Sequence, residues 1–267
     1  MSEKRKPARQ LKLEVDIDAS PEAVWQALTE GEQIANWFAP EAASSGTGVG
    51  GEVTFGWSPE MRWTTKVDAW EPGKRVRWLD SPSFMGEGTA MATDWLIETA
   101  GGKTRLTLVQ SGFGGGEGTW DDLFDGTEVG WTYFLHHLRV YLEKMPGRQR
   151  HMIASRFAVN RPRTSAWQAL LSPRGGLLRA ASAGLPGDTV QLAIADPPLR
   201  AIVDIAIPGH ALALRMPEHD ALLFLELEGK NEPFHLGAWL SVHDERHAGG
   251  MKASALEAFE RVRAALA

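Results

Sequence analysis

The sequence contains no cysteine, and this absence excludes several kinds of chemistry at once. Disulfide bonds, thiolate metal sites and cysteine nucleophiles are all ruled out. No apolar run reaches the 18 or so residues of a membrane-spanning helix, so membrane insertion is not expected. The N-terminus is charged and lacks the apolar segment of a signal peptide, which favours a cytoplasmic protein.

Basic residues are outnumbered by acidic ones, and the formal net charge is −6. This balance argues against nucleic acid or an anionic membrane surface as a partner. The glycines at 114–116 are not followed by the Lys-Ser/Thr pair of a phosphate loop. The segment 243–247 holds metal-type residues but lacks the helical HExxH order. We therefore predict no cofactor and no metal, and we find no spacing typical of a catalytic triad.

Tryptophan, in contrast, is abundant and unevenly placed. Nine of the 11 tryptophans precede residue 150, so the two halves of the chain are expected to enclose different interiors. A buried indole needs a partner for its N–H group, which makes so many tryptophans costly as plain core filler.

The strongest helical pattern covers residues 125–143. Apolar side chains recur there at one helical face, at Trp131, Phe134, Leu135 and Leu138. The segments before it alternate between apolar and polar residues, as half-buried strands do. We expect a sheet to wrap around this helix with a cavity between them.

The preceding chain is predicted as one strand, two short helices and an antiparallel meander. Ser20 and Pro21 are typical of a helix start, Gly31 is expected to end that helix, and a second helix is predicted at 32–38. The meander strands are predicted at 53–57, 63–69, 76–78, 91–98 and 104–110, after a first strand at 11–17. A glycine-rich loop is expected from 111 to 119.

The pattern then restarts after a candidate linker at 145–151. Trp25-Gln-Ala-Leu28 recurs as Trp167-Gln-Ala-Leu170, each time after a strand and a turn, and a closing helix is predicted at 252–266. Strands are expected near 156–160, 189–195, 200–207, 210–216, 221–228 and 234–243. The sequence thus predicts two tandem domains, residues 10–145 and a shorter, degenerate copy at 152–267.

Five segments of the first half resemble one known family. They are ASPEAVWQALTEGEQIANWFAP (19–40), GGEVTFGW (50–57), WEPGKRVRW (70–78), GGKTRLTLVQSGF (101–113) and GWTYFLHHLRVYLE (130–143). Together and in this order they are similar to the AHSA1-like (Hsp90 ATPase activator homologue) branch of the START/Bet v 1-like (SRPBCC) superfamily. The second half carries only the first-helix match, so its membership depends on the internal repeat.

The resemblance implies an α+β helix-grip fold, in which a curved antiparallel sheet surrounds one long C-terminal helix. It also implies an apolar cavity, because proteins of this superfamily mostly bind apolar or aromatic small molecules. The separate Hsp90-binding domain of the eukaryotic activators is not found, so no Hsp90 function is expected. Since each copy leaves free sheet edges, we expect a monomer with pseudo-dimeric domains or a weak homodimer.

The predicted ligand site combines an aromatic lining with a few polar contacts. The lining residues are Trp37, Phe38, Trp57, Trp63, Trp78, Trp95, Phe113, Trp120, Trp131, Phe134, Leu135 and Leu138. The candidate polar contacts are Arg62, Asp94, Gln110, Ser111 and Asp121. For any single tryptophan, core packing is the simpler interpretation. For Asp94, the simpler interpretation is an outward, solvated side chain. The aromatic residues taken together favour a cavity.

Three functions remain open at this point. The first is a binder of a small apolar, aromatic or lipid-like ligand with little or no catalysis. The second is an enzyme similar to the polyketide cyclases of the superfamily, in which the pocket folds the substrate chain and Asp94, Arg62 or Asp121 would be the polar groups that assist the reaction. The third is a protein-interaction or chaperone and stress-associated module, which would show a filled core and an exposed apolar patch.

Overall fold

The computed structural model describes residues 9–81, 90–113, 119–172, 176–179, 184–229 and 233–266. The chain divides into two compact units, Met1–Gly147 and Arg148–Ala267. Each unit contains one antiparallel sheet and helices that pack against it. Among these described residues, no helix combines the length and the apolar character needed to cross a bilayer.

The first unit places seven strands in the order β1-β7-β6-β5-β4-β3-β2. Its strands are β1 (Arg9–Ile17), β2 (Glu41–Ser45), β3 (Glu52–Gly56), β4 (Arg62–Glu71), β5 (Arg75–Asp80), β6 (Ala92–Ala100) and β7 (Lys103–Phe113). Its helices are α1 (Pro21–Thr29), α2 (Gly31–Ile34) and the long α3 (Thr119–Lys144). All strand pairs are antiparallel, as the meander predicted.

The start of α1 follows its sequence signals. The Ser20 side chain accepts a hydrogen bond from the Ala23 amide at 3.2 Å, and Pro21 occupies the first helical turn. The expectation that Gly31 ends this helix is wrong, because α1 ends at Thr29 and Gly31 begins α2. A side chain at position 31 would collide with the backbone of β2, since its Cβ would lie 2.5 Å from Ala43 Cα.

The second unit repeats this architecture with one strand fewer, in the order β8-β13-β12-β11-β10-β9. Its strands are β8 (His151–Val159), β9 (Thr189–Leu192), β10 (Leu199–Ile207), β11 (Ala211–Met216), β12 (Ala221–Glu228) and β13 (Phe234–Val242). Its helices are α4 (Arg163–Leu171), α5 (Glu245–Leu266) and a short 3-10 helix, Pro217–His219.

In both units the first and last strands are neighbours in the sheet. The first strand of each unit lies at a sheet edge beside the last strand, and the closing helix packs next to that first strand. A short helix follows the first strand in both. The predicted α+β class and the two tandem helix-grip copies are therefore confirmed.

Candidate functional site

The inner face of the first sheet, the face that meets α3, carries a continuous cluster of aromatic rings. Phe38, four residues after the end of α2, lies at its centre. The centroid of its ring lies 5.1 Å from that of Trp131 in a stacked arrangement and 4.9 Å from that of Phe134. Further ring neighbours of Phe38 are Trp37, Phe55, Trp57 and Trp78, and the cluster continues to Trp63 and Trp95.

This cluster has a buried floor and a partly exposed rim. We define the floor as the six side chains that are less than 9% exposed, namely Trp37, Phe38, Phe55, Trp78, Trp95 and Trp131. We define the rim as the three partly exposed rings, Trp57, Trp63 and Phe134. The rim lies toward the β3–β4 turn, so the apolar surface is graded from solvent into the core.

The indole N–H groups of the floor are not equally satisfied. Trp37 donates to the Ala27 carbonyl at 2.9 Å, and Trp131 donates to Gln110 Oε1 at 2.5 Å. The indole N–H groups of Trp78 and Trp95 are buried and have no hydrogen-bond partner among the described residues. Two donors are thus left in the floor without an acceptor.

Strand alternation places these side chains on one face. On β5, Val76 and Trp78 point inward, and Asp80 follows with the same parity. Asp80 is paired in register with Thr65 of β4, which is 1% exposed and faces inward beside Trp63. The inner face therefore ends in a carboxylate beside the rim.

Asp80 is the functional candidate that the sequence reasoning missed. Burial raises the pKa of its carboxyl to about 6, and contacts with the side chains of Thr65 and Trp63 hold the pKa below what burial alone would give. The Thr65 hydroxyl faces the carboxylate without reaching standard hydrogen-bond geometry. The missed signal was the alternation of Val76, Trp78 and Asp80 along one strand.

Two of the predicted polar contacts lie away from the cluster. Asp94 occupies the sheet face opposite its neighbour Trp95 and forms a bidentate pair with Arg75, with a shortest N–O distance of 2.7 Å. Arg62 is exposed and pairs with Glu41 at 2.7 Å. Their assignment to the aromatic site was wrong, because strand parity turns both side chains to the outer face.

The remaining predicted residues divide in the same way. Gln110 contacts the aromatic cluster through its bond to Trp131, whereas Ser111 has the opposite strand parity. Phe113 is buried but stacks edge-on against Phe124, with 5.0 Å between the ring centroids. Leu135 and Leu138 are buried on α3. The side chains of Trp120 and Asp121 lie outside the described residues.

The histidine-rich segment after β13 has a structural role within the second unit. His243 is buried, and its Nδ1–H group donates to the Arg148 carbonyl at 3.4 Å. The Asp244 carboxylate pairs with Arg246 at 2.6 Å. Within the residues that the structure describes, no three potential metal ligands lie together.

A family comparison agrees with this geometry. Residues 18–143 match the family described as "Activator of Hsp90 ATPase homolog 1-like protein". The first unit belongs to this AHSA1-like family. The match begins at the end of β1 and includes every element of the cluster up to α3. No protein of curated function matches the chain.

Solved structures with similar folds cover either the first half or both halves. The Aha1 dimer from Colwellia psychrerythraea is 26% identical, covers 52% of this chain and 99% of its own, and gives a TM-score of 0.45. DynU16, from the dynemicin biosynthetic locus, is 21% identical over 97% of this chain and 95% of its own, with a TM-score of 0.44. The di-domain ARO/CYC StfQ from the steffimycin biosynthetic pathway is 12% identical over 96% and 98%, with a TM-score of 0.42.

Proposed function

We propose that the first unit binds a small apolar or aromatic molecule against the aromatic floor, in a cavity between the sheet and α3. The observation that carries this proposal is the pair of buried indole N–H groups on Trp78 and Trp95. Each unpartnered buried donor costs about 1–3 kcal/mol. A ligand with an acceptor oxygen would satisfy these donors while its aromatic body packs on the surrounding rings.

The graded exposure of the cluster supports the same function. The three partly exposed rings of the rim extend the apolar lining toward solvent, as the entrance of a ligand site would. Trp57 contacts both Phe38 of the floor and Phe134 of the rim, at 5.8 and 5.5 Å between ring centroids. A ligand that enters past Trp57 would therefore meet a continuous aromatic surface.

The test is calorimetric titration of the full-length chain with 2-acetylnaphthalene, which offers an aromatic body and one carbonyl acceptor, and with naphthalene, which offers no acceptor. We expect both to bind and 2-acetylnaphthalene to bind more tightly. Trp57→Ala should weaken binding about tenfold, the effect of losing about 1.4 kcal/mol of contact.

Trp25→Ala is the matched control. Trp25 is also partly exposed, but its ring contacts Trp70, at 4.8 Å between centroids, rather than the cluster. Its removal should leave the affinity unchanged. Equal losses in both variants would contradict the proposed site. An absence of binding by either compound would refute the binder and favour the protein-interaction module.

A catalytic function is the second candidate, and it now depends on Asp80 rather than on Asp94 or Arg62. A carboxyl with a pKa of about 6 beside an aromatic site can exchange a proton near neutral pH. If the unit is an enzyme that uses Asp80 as acid or base, Asp80→Asn should keep the affinity for the neutral 2-acetylnaphthalene and lose turnover. An unchanged turnover would remove Asp80 from the mechanism.

A further inference from the structure

Asp80 is a carboxylate at an apolar site without a compensating positive charge. Its side chain faces inward beside Thr65 and Trp63, and no cationic side chain among the described residues pairs with it. A partly buried carboxylate is stable as an anion only when a nearby cation or hydrogen-bond donors compensate its lost hydration. Among the described residues, Thr65 and Trp63 supply the hydrogen-bonding compensation.

The outer face of the same sheet shows how its other carboxylates are compensated. The Asp94 side chain, 21% exposed, pairs with Arg75 at 2.7 Å. The Asp68 side chain, 32% exposed, pairs with Arg77 at 3.2 Å. Both partly buried carboxylates thus have an arginine partner on a neighbouring strand. Asp80, on the inner face, has no such cationic partner among the described residues, so a bound ligand could supply the positive charge.

The aromatic rings next to Asp80 can also attract a positively charged group. Trp63 interacts with the carboxylate through its side chain, and its ring lies 5.2 Å from that of Phe55. The faces of tryptophan rings attract organic cations, by about 0.5–2 kcal/mol at partly desolvated sites. A carboxylate beside partly exposed tryptophans therefore combines two independent attractions for an ammonium group.

We infer that the ligand carries a positively charged nitrogen, which binds at the rim against the Asp80 carboxylate and over the face of the Trp63 ring while its aromatic body reaches the floor. The inference rests on the proposed ligand-binding function. It narrows the ligand class to aromatic or apolar amines and quaternary ammonium compounds. The acceptor that Trp78 and Trp95 require would lie on the other end of such a molecule.

The experiment compares two probes of equal shape on the full-length chain. Benzyltrimethylammonium is positively charged, and neopentylbenzene replaces its nitrogen with carbon and is neutral. Calorimetry at pH 7.5 should show that the cation binds about tenfold more tightly, consistent with one cation–aromatic contact and one charge pair. Asp80→Asn should reduce this preference to that of the cation–aromatic contact alone, about threefold, and leave the affinity for neopentylbenzene unchanged.

Asp94→Asn is the control, since it removes a carboxylate of similar exposure from the outer face. It should keep the tenfold preference. A preference that is undiminished in Asp80→Asn, or a wild-type chain that binds the cation no better than the neutral probe, would overturn the inference. If neopentylbenzene binds without any preference for the cation, the proposed function stands and this inference fails; if neither probe binds, both fail.

A pH series on the wild-type chain tests the same inference without a variant. Burial, Thr65 and Trp63 are the groups that set the pKa of Asp80, and it lies at about 6. Cation affinity should fall as the pH decreases through 6, in total by no more than the part of the preference that the carboxylate supplies, because protonation removes the carboxylate charge. The affinity for neopentylbenzene should stay constant. A cation affinity that is unchanged from pH 7.5 to pH 5 would contradict the role of Asp80.

Discussion

In the first unit, the alternation of side chains along a strand decides which polar residues face the aromatic cluster. Asp94 was placed in the site because it interrupts an apolar strand, yet its neighbour Trp95 takes the inward position and turns Asp94 outward to Arg75. Asp80 was overlooked because it ends a strand, where a polar residue looks ordinary. Parity along β5 could have found it, since Trp78 two residues earlier is an obvious inward residue.

His243 makes the stability of the second unit depend on pH. Burial lowers the pKa of His243 to about 4, and the nearby charges of Arg150, His151 and Arg148 act in the same direction. The bond from its Nδ1–H group to the Arg148 carbonyl opposes this shift only in part. The folded unit therefore holds a neutral histidine at a pH where the unfolded chain would already be protonated.

We expect the chain to lose stability as the pH falls from about 6.5 to about 4. In this window the unfolded state binds a proton that folded His243 does not, so the loss approaches about 3 kcal/mol. Asp80 acts in the opposite direction, because its raised pKa makes the folded state the better proton acceptor between 6 and 4. Thermal unfolding of wild type and His243→Gln at several pH values isolates the histidine contribution.

The control is His235→Gln, which replaces a partly exposed histidine on the same sheet. It should keep the wild-type dependence on pH, whereas His243→Gln should flatten it. Identical slopes for wild type and His243→Gln would show that His243 does not contribute.

Elements with strong apolar periodicity were predicted well, and those without it were not. β2 (Glu41–Ser45) was missed because none of its residues is large and apolar, and it forms through pairing with β3. α3 is predicted from residue 125, but it begins at Thr119, because the turn before residue 125 lacks the regular apolar spacing that identifies the rest of the helix. Glycine-rich sequence likewise hid the end of β7, which continues to Phe113.

Two glycines in helical segments should respond to alanine in opposite ways. In Gly31→Ala the new Cβ would lie 2.5 Å from Ala43 Cα and 2.6 Å from Ser44 N, both backbone atoms that cannot move independently. We expect a loss of about 2 kcal/mol or more from this overpacking. In Gly126→Ala the new methyl group on α3 meets no atom within 4 Å, so helix propensity should add about 1 kcal/mol.

Denaturant unfolding followed by circular dichroism measures both changes. A stabilised Gly31→Ala variant would mean that α2 and β2 can separate without cost, and would contradict the close approach of the two elements. A destabilised Gly126→Ala variant would mean that the exposed side of α3 at this turn is not open.

At the scale of the whole molecule, the repeated Trp-Gln-Ala-Leu segment correctly indicated a second copy of the domain. The side chains that fill the core of each unit decide what that unit can bind. The core of the second unit is mainly aliphatic, and its closing helix contributes Met251, Ala255, Ala258 and Phe259. At the matching place α3 offers Trp131 and Phe134. The pseudo-dimeric pairing of the two units stays a prediction.

This difference predicts one ligand per chain rather than one per unit. Titration of the full-length chain with 2-acetylnaphthalene should give a stoichiometry of one. Trp57→Ala should weaken the only measurable transition, while Trp167→Phe, which changes a buried ring of α4 in the second unit, should leave both affinity and stoichiometry unchanged. Two equivalent sites per chain would show that an aliphatic helix-grip core also binds aromatic molecules, and that the aromatic floor is not the feature that makes the first unit a binding domain.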